Sequence, residues 1–334
     1  MIVSALSIAD RFFGSFLFGY PYKQSKYFMP ELIVQAREAL ISEHLSVRRI
    51  LPFRQKRMVG PFIFMDHAGP INKFPSEITS LDVLPHPHIG LSTVTYLFSG
   101  NVTHRDGLGV EQIIKPGEVN WMTAGKGIAH SERFEDPELL KRESLEMLQT
   151  WVALPKEVEE TDPTFFNYKP EQLALFTDRG VWMRLIAGNA YGLKSGVKTH
   201  SPLFYLHVKL EKNTRLNLPS EYSERAVYVA KGSLELSAQT FTQSQLIVFS
   251  KSEYPVITAL ENSELMLLGG EPLGERFIWW NFVSSSKERI EQAKNDWKTG
   301  KIILPPNDNK EFVPLPENHF KFSESKIPPP EPLS

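Results

Sequence analysis

The strongest constraint on this chain is how its apolar residues are cut short. From Leu45 to Leu154 they come in brief runs alternating with polar residues, each closed by Gly, Pro, Asn or Asp: VGPFIFMDHAGP, LSTVTYLFSG, VTHRDGLG, IIKPGEVNWMTAGKG. Alternation with period two puts every second side chain on one face of a strand, and glycine and proline punctuate rather than extend it. Such runs predict an all-β barrel or sandwich. Asp106-Gly107 marks a tight turn. From Val181 the texture returns, in VWMRLIAGNAYG, SPLFYLHVKL, RAVYVAKGSLEL, QLIVFS and ELMLLGG. The two blocks form a weak internal repeat. Leu84-Pro85-His86-Pro87-His88 before TVTYLFSG matches Leu218-Pro219-Ser220-Glu221-Tyr222 before AVYVAKG. Histidines stand in the first copy where Ser220 and Tyr222 stand in the second, so ligand chemistry is expected only in the first half.

Around these blocks the expected organisation is an N-terminal extension (1–44), a first β domain (45–155), a connector (156–180), a second β domain with a terminal helix (181–317) and a flexible Pro-rich tail (318–334). Within the extension, Leu32, Ile33, Ala36 and Leu40 are spaced as on a short amphipathic helix over residues 29–43. Glu135 to Lys141 reads as a loop with one helical turn. Near the end, Ser285 and Glu288 have capping-box spacing, Ile290, Ala293 and Trp297 form one apolar face, and Gly300 stops the helix. The aromatic-rich start is interrupted by Asp10 and Arg11, too early to cross a bilayer, and no Lys or Arg precedes it as in a signal peptide. A cytoplasmic protein without a transmembrane segment is expected.

The chain has no cysteine, which removes disulfides, thiolate nucleophiles and iron–sulfur clusters. A net charge of −2 without a basic run leaves no nucleic-acid footprint. A metal here must be held by His, Asp or Glu. The stretch HPHIG sets His86 and His88 on one face of a strand with Pro87 pointing away, and proline favours a sheet edge. MTAGKGIAHSERF sets His130 and Glu132 at the same spacing. Three imidazoles and a carboxylate converging from two strands suit Fe(II), Mn, Ni, Co, Cu or Zn and leave positions open for water, O2 or substrate.

The pieces VRRILPF, VGPFIFMDHAGP, HPHIGLSTVTYLFSG, HRDGLG, PGEVNWMTAGKGIAHSE and LQTWVALP resemble, in order and spacing, the N-terminal domain of the pirin family of the cupin superfamily. GGEPLGERFIWWNFVSSSKERIEQAKNDW resembles the end of bacterial pirin-like proteins. The resemblance implies a bicupin, two stacked jelly-roll barrels with one mononuclear divalent metal in the first, usually iron. It places the ligands on His86, His88, His130 and Glu132. His104 and Asp106 resemble a family hairpin near the metal, which gives them a place behind the ligands or in the pocket. Ile89 stands where the family commonly has Arg, a departure expected to alter the site's mouth or surroundings. His67 reads as structural, Trp121 and Met122 as core, and Trp279 and Trp280 as packing residues facing opposite ways. His200, His207 and His319 have no partner at ligand spacing.

Some pirin-like proteins are quercetin 2,3-dioxygenases, which implies a flavonol-like aromatic substrate and O2. The metal would then acidify the 3-hydroxyl, with Glu132, if it loosens from the metal, as the catalytic proton acceptor. Other pirins act as iron- and redox-dependent regulators of a protein partner, which is the alternative. A cupin isomerase or sugar-binding protein fits less well, because its ligands come in another order.

Overall fold

The computed structural model describes residues 29–42, 44–72, 78–135, 144–251 and 253–316. The described chain begins with β1 (Leu32–Gln35) and β2 (Arg37–Leu40). There follow β3 (Ser46–Leu51), β4 (Phe62–Ile71), β5 (Val83–His88), β6 (Leu91–Ser99), β7 (Val102–Asp106) and β8 (Glu111–Ile114). Then come β9 (Val119–Thr123), β10 (Ile128–Arg133), β11 (Leu145–Ala153) and β12 (Thr164–Tyr168). They make a seven-stranded sheet, β12-β9-β6-β11-β4-β3-β2, and a four-stranded one, β5-β10-β7-β8, which together enclose the first barrel.

The second barrel repeats the plan. It uses β13 (Ala174–Asp178), β14 (Val181–Ala190), β15 (Leu193–Lys194), β16 (Leu203–Leu210), β17 (Arg215–Asn217) and β18 (Glu224–Lys231). It continues with β19 (Ser233–Leu236), β20 (Gln239–Thr242), β21 (Gln245–Phe249), β22 (Val256–Ala259) and β23 (Ser263–Gly270). Its large sheet runs β1-β21-β18-β23-β16-β14-β13, with β15 on β14, and its small sheet is β17-β22-β19-β20. The bicupin expectation holds. The segment 156–180 is more than a connector: β12 extends the first barrel at β9 and β13 extends the second at β14.

The period-two patterning decides what each barrel contains. Val94, Tyr96, Trp121 and Leu148 point out of the first barrel, and Tyr205, Tyr228, Met266 and Leu268 point out of the second. Together they form the buried layer on which the barrels stack. The inward residues differ. In the second barrel Met183, Leu185, Phe204, Leu206, Val227, Ile247, Leu265 and Leu267 fill the interior with apolar packing. In the first, the row Asp66, Gln149, Thr95, Asn120 runs directly across four neighbouring strands, each pair in register. A polar row needs partners, and Thr95 Oγ1 donates to Gln149 at 2.7 Å.

Two reciprocal clasps join the barrels. His67 on β4 meets the Tyr228 hydroxyl at Nδ1 (2.9 Å) and Glu146 at Nε2 (3.0 Å). His207 on β16 meets the Tyr96 hydroxyl at Nδ1 (2.9 Å) and Glu264 at Nε2 (2.7 Å). Burial holds both imidazoles below the usual histidine range. A neutral ring fits both contacts, with Nε2–H donating to the carboxylate and Nδ1 accepting from the phenol. His67 and His207 are thus structural, and His200 is exposed.

After the second barrel the chain returns to the first. β24 (Phe277–Trp279) and β25 (Phe282–Ser284) form a hairpin, and a helix spans Lys287–Lys298. Ile290, Ala293 and Trp297 pack with Ile89, Ala129, Trp279, Phe282 and Ile302 against the outer side of β5 and β10. The helix is capped by Ser286, whose hydroxyl accepts from Arg289 N, one residue beyond the expected Ser285. Ser285 is instead held by Glu159, which accepts from its amide at 2.9 Å and its hydroxyl at 2.9 Å. Gly300, at φ +71°, lies just past the C-cap as expected.

The helix expected over 29–43 is not there. β1 pairs with β21 and β2 with β3, so this stretch bridges the large sheets of both barrels. Val34 is buried, while Leu40, assigned to the apolar face, is 69% exposed. Vacant sheet edges supply hydrogen bonds along the whole segment, and tertiary pairing overrides a weak local preference. The aromatic-rich start (1–28), most of the 135–141 loop, His319 and the 318–334 tail lie outside the described residues. Among the described residues no helix is long and apolar enough to cross a membrane.

Candidate metal centre

β5 is the edge strand of the small sheet, where its two prolines cost no ladder bonds. Its antiparallel partner β10 aligns His130 with His86 and Ile128 with His88. His86, His88 and His130 converge, each offering a ring nitrogen within 4.8 Å of the others. Their ring centroids are 4.4 to 5.0 Å apart. His88 Nε2 lies 3.1 Å from His130 Nε2. All three are buried. Burial lowers His86 to about 4 and takes His88 and His130 well below the usual value, the neighbouring imidazoles adding to the effect. The rings are therefore neutral at physiological pH, the form that binds metals.

The other nitrogens orient them. His86 Nδ1 donates to Leu84 O at 2.9 Å and His88 Nδ1 to Asn281 O at 3.1 Å, which turns each Nε2 inward. His130 Nδ1 lies 3.4 Å from His104 Nδ1, and His104 Nε2 lies 3.1 Å from Asp106 Oδ2. Asp106 is fixed in turn, its Oδ1 accepting from Leu108 N and Val110 N. Phe165 stacks on His104 at 4.5 Å.

A register shift between His130 and Glu132 interrupts the pairing with β5. Glu132 stands outside the three-histidine group but faces the same cavity. Its carboxylate is buried, Oε1 has no hydrogen-bond partner among the described residues, and burial raises the group to about 7. A buried carboxylate oxygen without a partner is costly unless a cation or a ligand completes it. Three neutral imidazoles beside such a carboxylate suit a divalent metal ion.

The centre opens into a cavity of about 570 Å³ inside the first barrel, within the range of small-molecule sites. Its wall beside His88 is Trp151, at 5.0 Å between ring centroids, and Phe64 stacks on Trp151 at 4.0 Å. Trp279 and Trp280 both line it, although adjacent strand residues were expected to face apart. Trp280 sits in the β24–β25 turn at φ +52°, which releases it from the alternation. Ile89 does not line the cavity. It bridges to Phe282 and packs under the C-terminal helix. Trp121 and Met122 are core residues. Asn281, whose carbonyl orients His88, carried no sequence signal, because its role depends on a hairpin nearly two hundred residues downstream.

The N-terminal half matches the Pirin family model over residues 44–152, and residues 205–303 match the Pirin C-terminal cupin domain. The chain belongs to the pirin family. A pirin-like protein of Caulobacter vibrioides is 53% identical over 292 residues, covering 86% of this chain and 100% of that protein. Among solved pirin-fold structures, one titled quercetin 2,3-dioxygenase from Acinetobacter baumannii is 31% identical with a TM-score of 0.78, covering 87% of this chain and 97% of that one. A second structure of the same title and organism is 28% identical with a TM-score of 0.76, covering 82% and 98%.

Proposed function

We propose that this pirin is an oxidoreductase of the quercetin 2,3-dioxygenase type, holding one divalent metal, iron in the first place, on His86, His88, His130 and Glu132. Its substrates would be a flavonol-like aromatic compound and O2. The observation that carries the reading is the set of three neutral, inward-turned imidazoles and one unpartnered buried carboxylate at the end of an aromatic-walled cavity. The likeness to the Acinetobacter proteins supports it. Bound there, the metal would supply Lewis acidity toward a substrate hydroxyl and, as iron, redox capacity toward O2.

The chain's own residues do the rest. Trp151, Phe64, Trp279 and Trp280 give a flat ring apolar walls and exclude water around it. Loosened from the metal, Glu132 would accept the hydroxyl proton; burial in the metal-free centre raises it, which favours its protonated form. His104 and Asp106 stand behind His130 as positioning residues. The test is O2 uptake with quercetin by the iron-loaded protein, beside a His88→Ala control. Turnover that disappears in the control is expected. No turnover despite stoichiometric iron would overturn the catalytic reading, and no metal uptake would overturn the ligand assignment.

A further inference from the structure

The cavity wall carries more cationic than carboxylate side chains. Arg37, Arg49 and Arg57 line it with Asp66 and Glu132. Asp66 is matched by Arg49, which donates from Nε at 2.9 Å and from Nη2 at 2.8 Å. Glu132 lines the same cavity beside the three histidines and is assigned to the proposed metal set. Among the described residues, that leaves Arg37 and Arg57 on the wall without a carboxylate partner in an ion pair.

Arg37 is aligned directly opposite Arg49 across β2 and β3, and Arg49 opposite Asp66 across β3 and β4. Like charges facing each other across strands repel. Arg37 and Arg57 are exposed on the cavity wall, so each is free to meet an anion that enters the cavity. Arg37 is held ready, both terminal nitrogens donating to Pro52 O at 3.1 and 3.2 Å. The Arg49 guanidinium and the metal-site histidines share one wall. His88 meets Trp151, Trp151 stacks on Phe64, and the Arg49 guanidinium lies 4.8 Å over the Phe64 ring. A flat ring lying along the edges of Trp151 and Phe64 would have the histidines at one end and Arg49 at the other, with Arg37 aligned opposite Arg49 and Arg57 on the same cavity lining. Cations at the mouth of a low-dielectric cleft focus positive potential into it and favour planar carboxylates.

We infer that the substrate of this site is an aromatic acid: a hydroxylated ring whose hydroxyl faces the histidines and whose carboxylate is held by Arg37 and Arg57. The inference rests on the metal-site reading above and narrows it from flavonol-like compounds in general to anionic ones.

The test uses the full chain loaded with nickel(II), so that no turnover intervenes. Calorimetry compares catechol with 3,4-dihydroxybenzoate, which differs only by the carboxylate, and metal content is measured in the same samples. The acid is expected to bind at least about tenfold more tightly, as one charge-assisted contact gives. The preference should shrink as salt rises from about 50 to about 500 mM. In the double variant Arg37→Gln, Arg57→Gln the two affinities should fall within about twofold of each other. Equal affinities in the wild type, or a preference that survives the double variant, would overturn the inference while the metal site stands. Binding of neither compound by metal-loaded protein would overturn it too. No nickel uptake would overturn the metal-site reading and this inference with it.

Discussion

The aspartate behind the histidines gives the sharpest test of how the centre is assembled. For His130 to offer Nε2 to a metal, its proton must sit on Nδ1, which then donates to His104 Nδ1. His104 must carry its own proton on Nε2 and donate to Asp106 Oδ2. Donation runs one way, from His130 through His104 to Asp106. In Asp106→Asn the side-chain oxygen is needed where Oδ1 now accepts from Leu108 N and Val110 N, so the amide nitrogen faces His104 Nε2. Two donors then meet. Relief comes from moving the His104 proton to Nδ1, which forces the His130 proton onto Nε2 and blocks ligation. Outer partners of metal-bound histidines contribute about 10–100-fold in affinity, or about 1.4–2.8 kcal/mol. Asp106→Asn should reach the upper end, because it inverts the relay rather than deleting it. The turn keeps its backbone contacts, so the protein should fold as before. Chelator competition with nickel(II) or zinc(II) measures the affinity, and nitrogen-15 imidazole spectra report the tautomers. A metal affinity within about twofold of wild type would refute the one-way relay.

Three further outcomes follow from the same structure. Tyr228→Phe and Tyr96→Phe each leave a buried imidazole nitrogen unpartnered at the barrel interface. Each should lower stability in urea by about 1–3 kcal/mol, and no change would refute the clasp. Gly90 has φ +68°, and an added Cβ would lie 2.0 Å from Val283 O, so Gly90→Ala should cost about 2 kcal/mol or more and push the β24–β25 hairpin off β5; an unchanged Tm would refute this. In metal-free protein, burial holds His67, His86, His88, His130 and His207 below the ordinary 6.5. Below that pH the unfolded chain binds protons that the fold refuses. The histidine contribution is full above about 6.5 and falls as the pH drops, by up to about 1.4 kcal/mol per pH unit for each fully shifted histidine, offset by one group of opposite sign, Glu132, which burial raises to about 7. A Tm that stays flat between pH 7 and 5.5 would refute it.

What the sequence revealed follows from the range of each signal. His86 with His88, and His130 with Glu132, are two residues apart, and strand alternation alone puts each pair on one face. The contrast between histidines in the first copy and Ser220 and Tyr222 in the second pointed to the first barrel; among the described residues the histidine group lies there, and the second interior is apolar. The segment at 29–43 misled because LIVQAREAL satisfies helical spacing in a run too short to decide. Its conformation is set by β21 and β3, edges that periodicity cannot see. The cavity's outer wall was hidden for the same reason: Arg37, Trp280 and Val313 come from segments far apart in sequence. Ile89 was singled out because the family commonly has Arg there; one step along the strand from His88 its side chain turns away from the cavity, toward Phe282.

The strand that opens the described chain is aligned Leu32 to Val248. On a ribosome the first barrel can close from β2 to β12 long before Gln245–Phe249 has been made. β1 then waits with its backbone unpaired and Val34 uncovered, next to a barrel already complete at Arg37. A segment synthesised before both barrels is thus among the last to find its place, which makes it a site of early proteolysis and late amide protection. Removing the segment up to Gln35 would spare the cavity wall on β2 and bare the β21 edge instead, so damage to β1 would surface as aggregation through the second barrel.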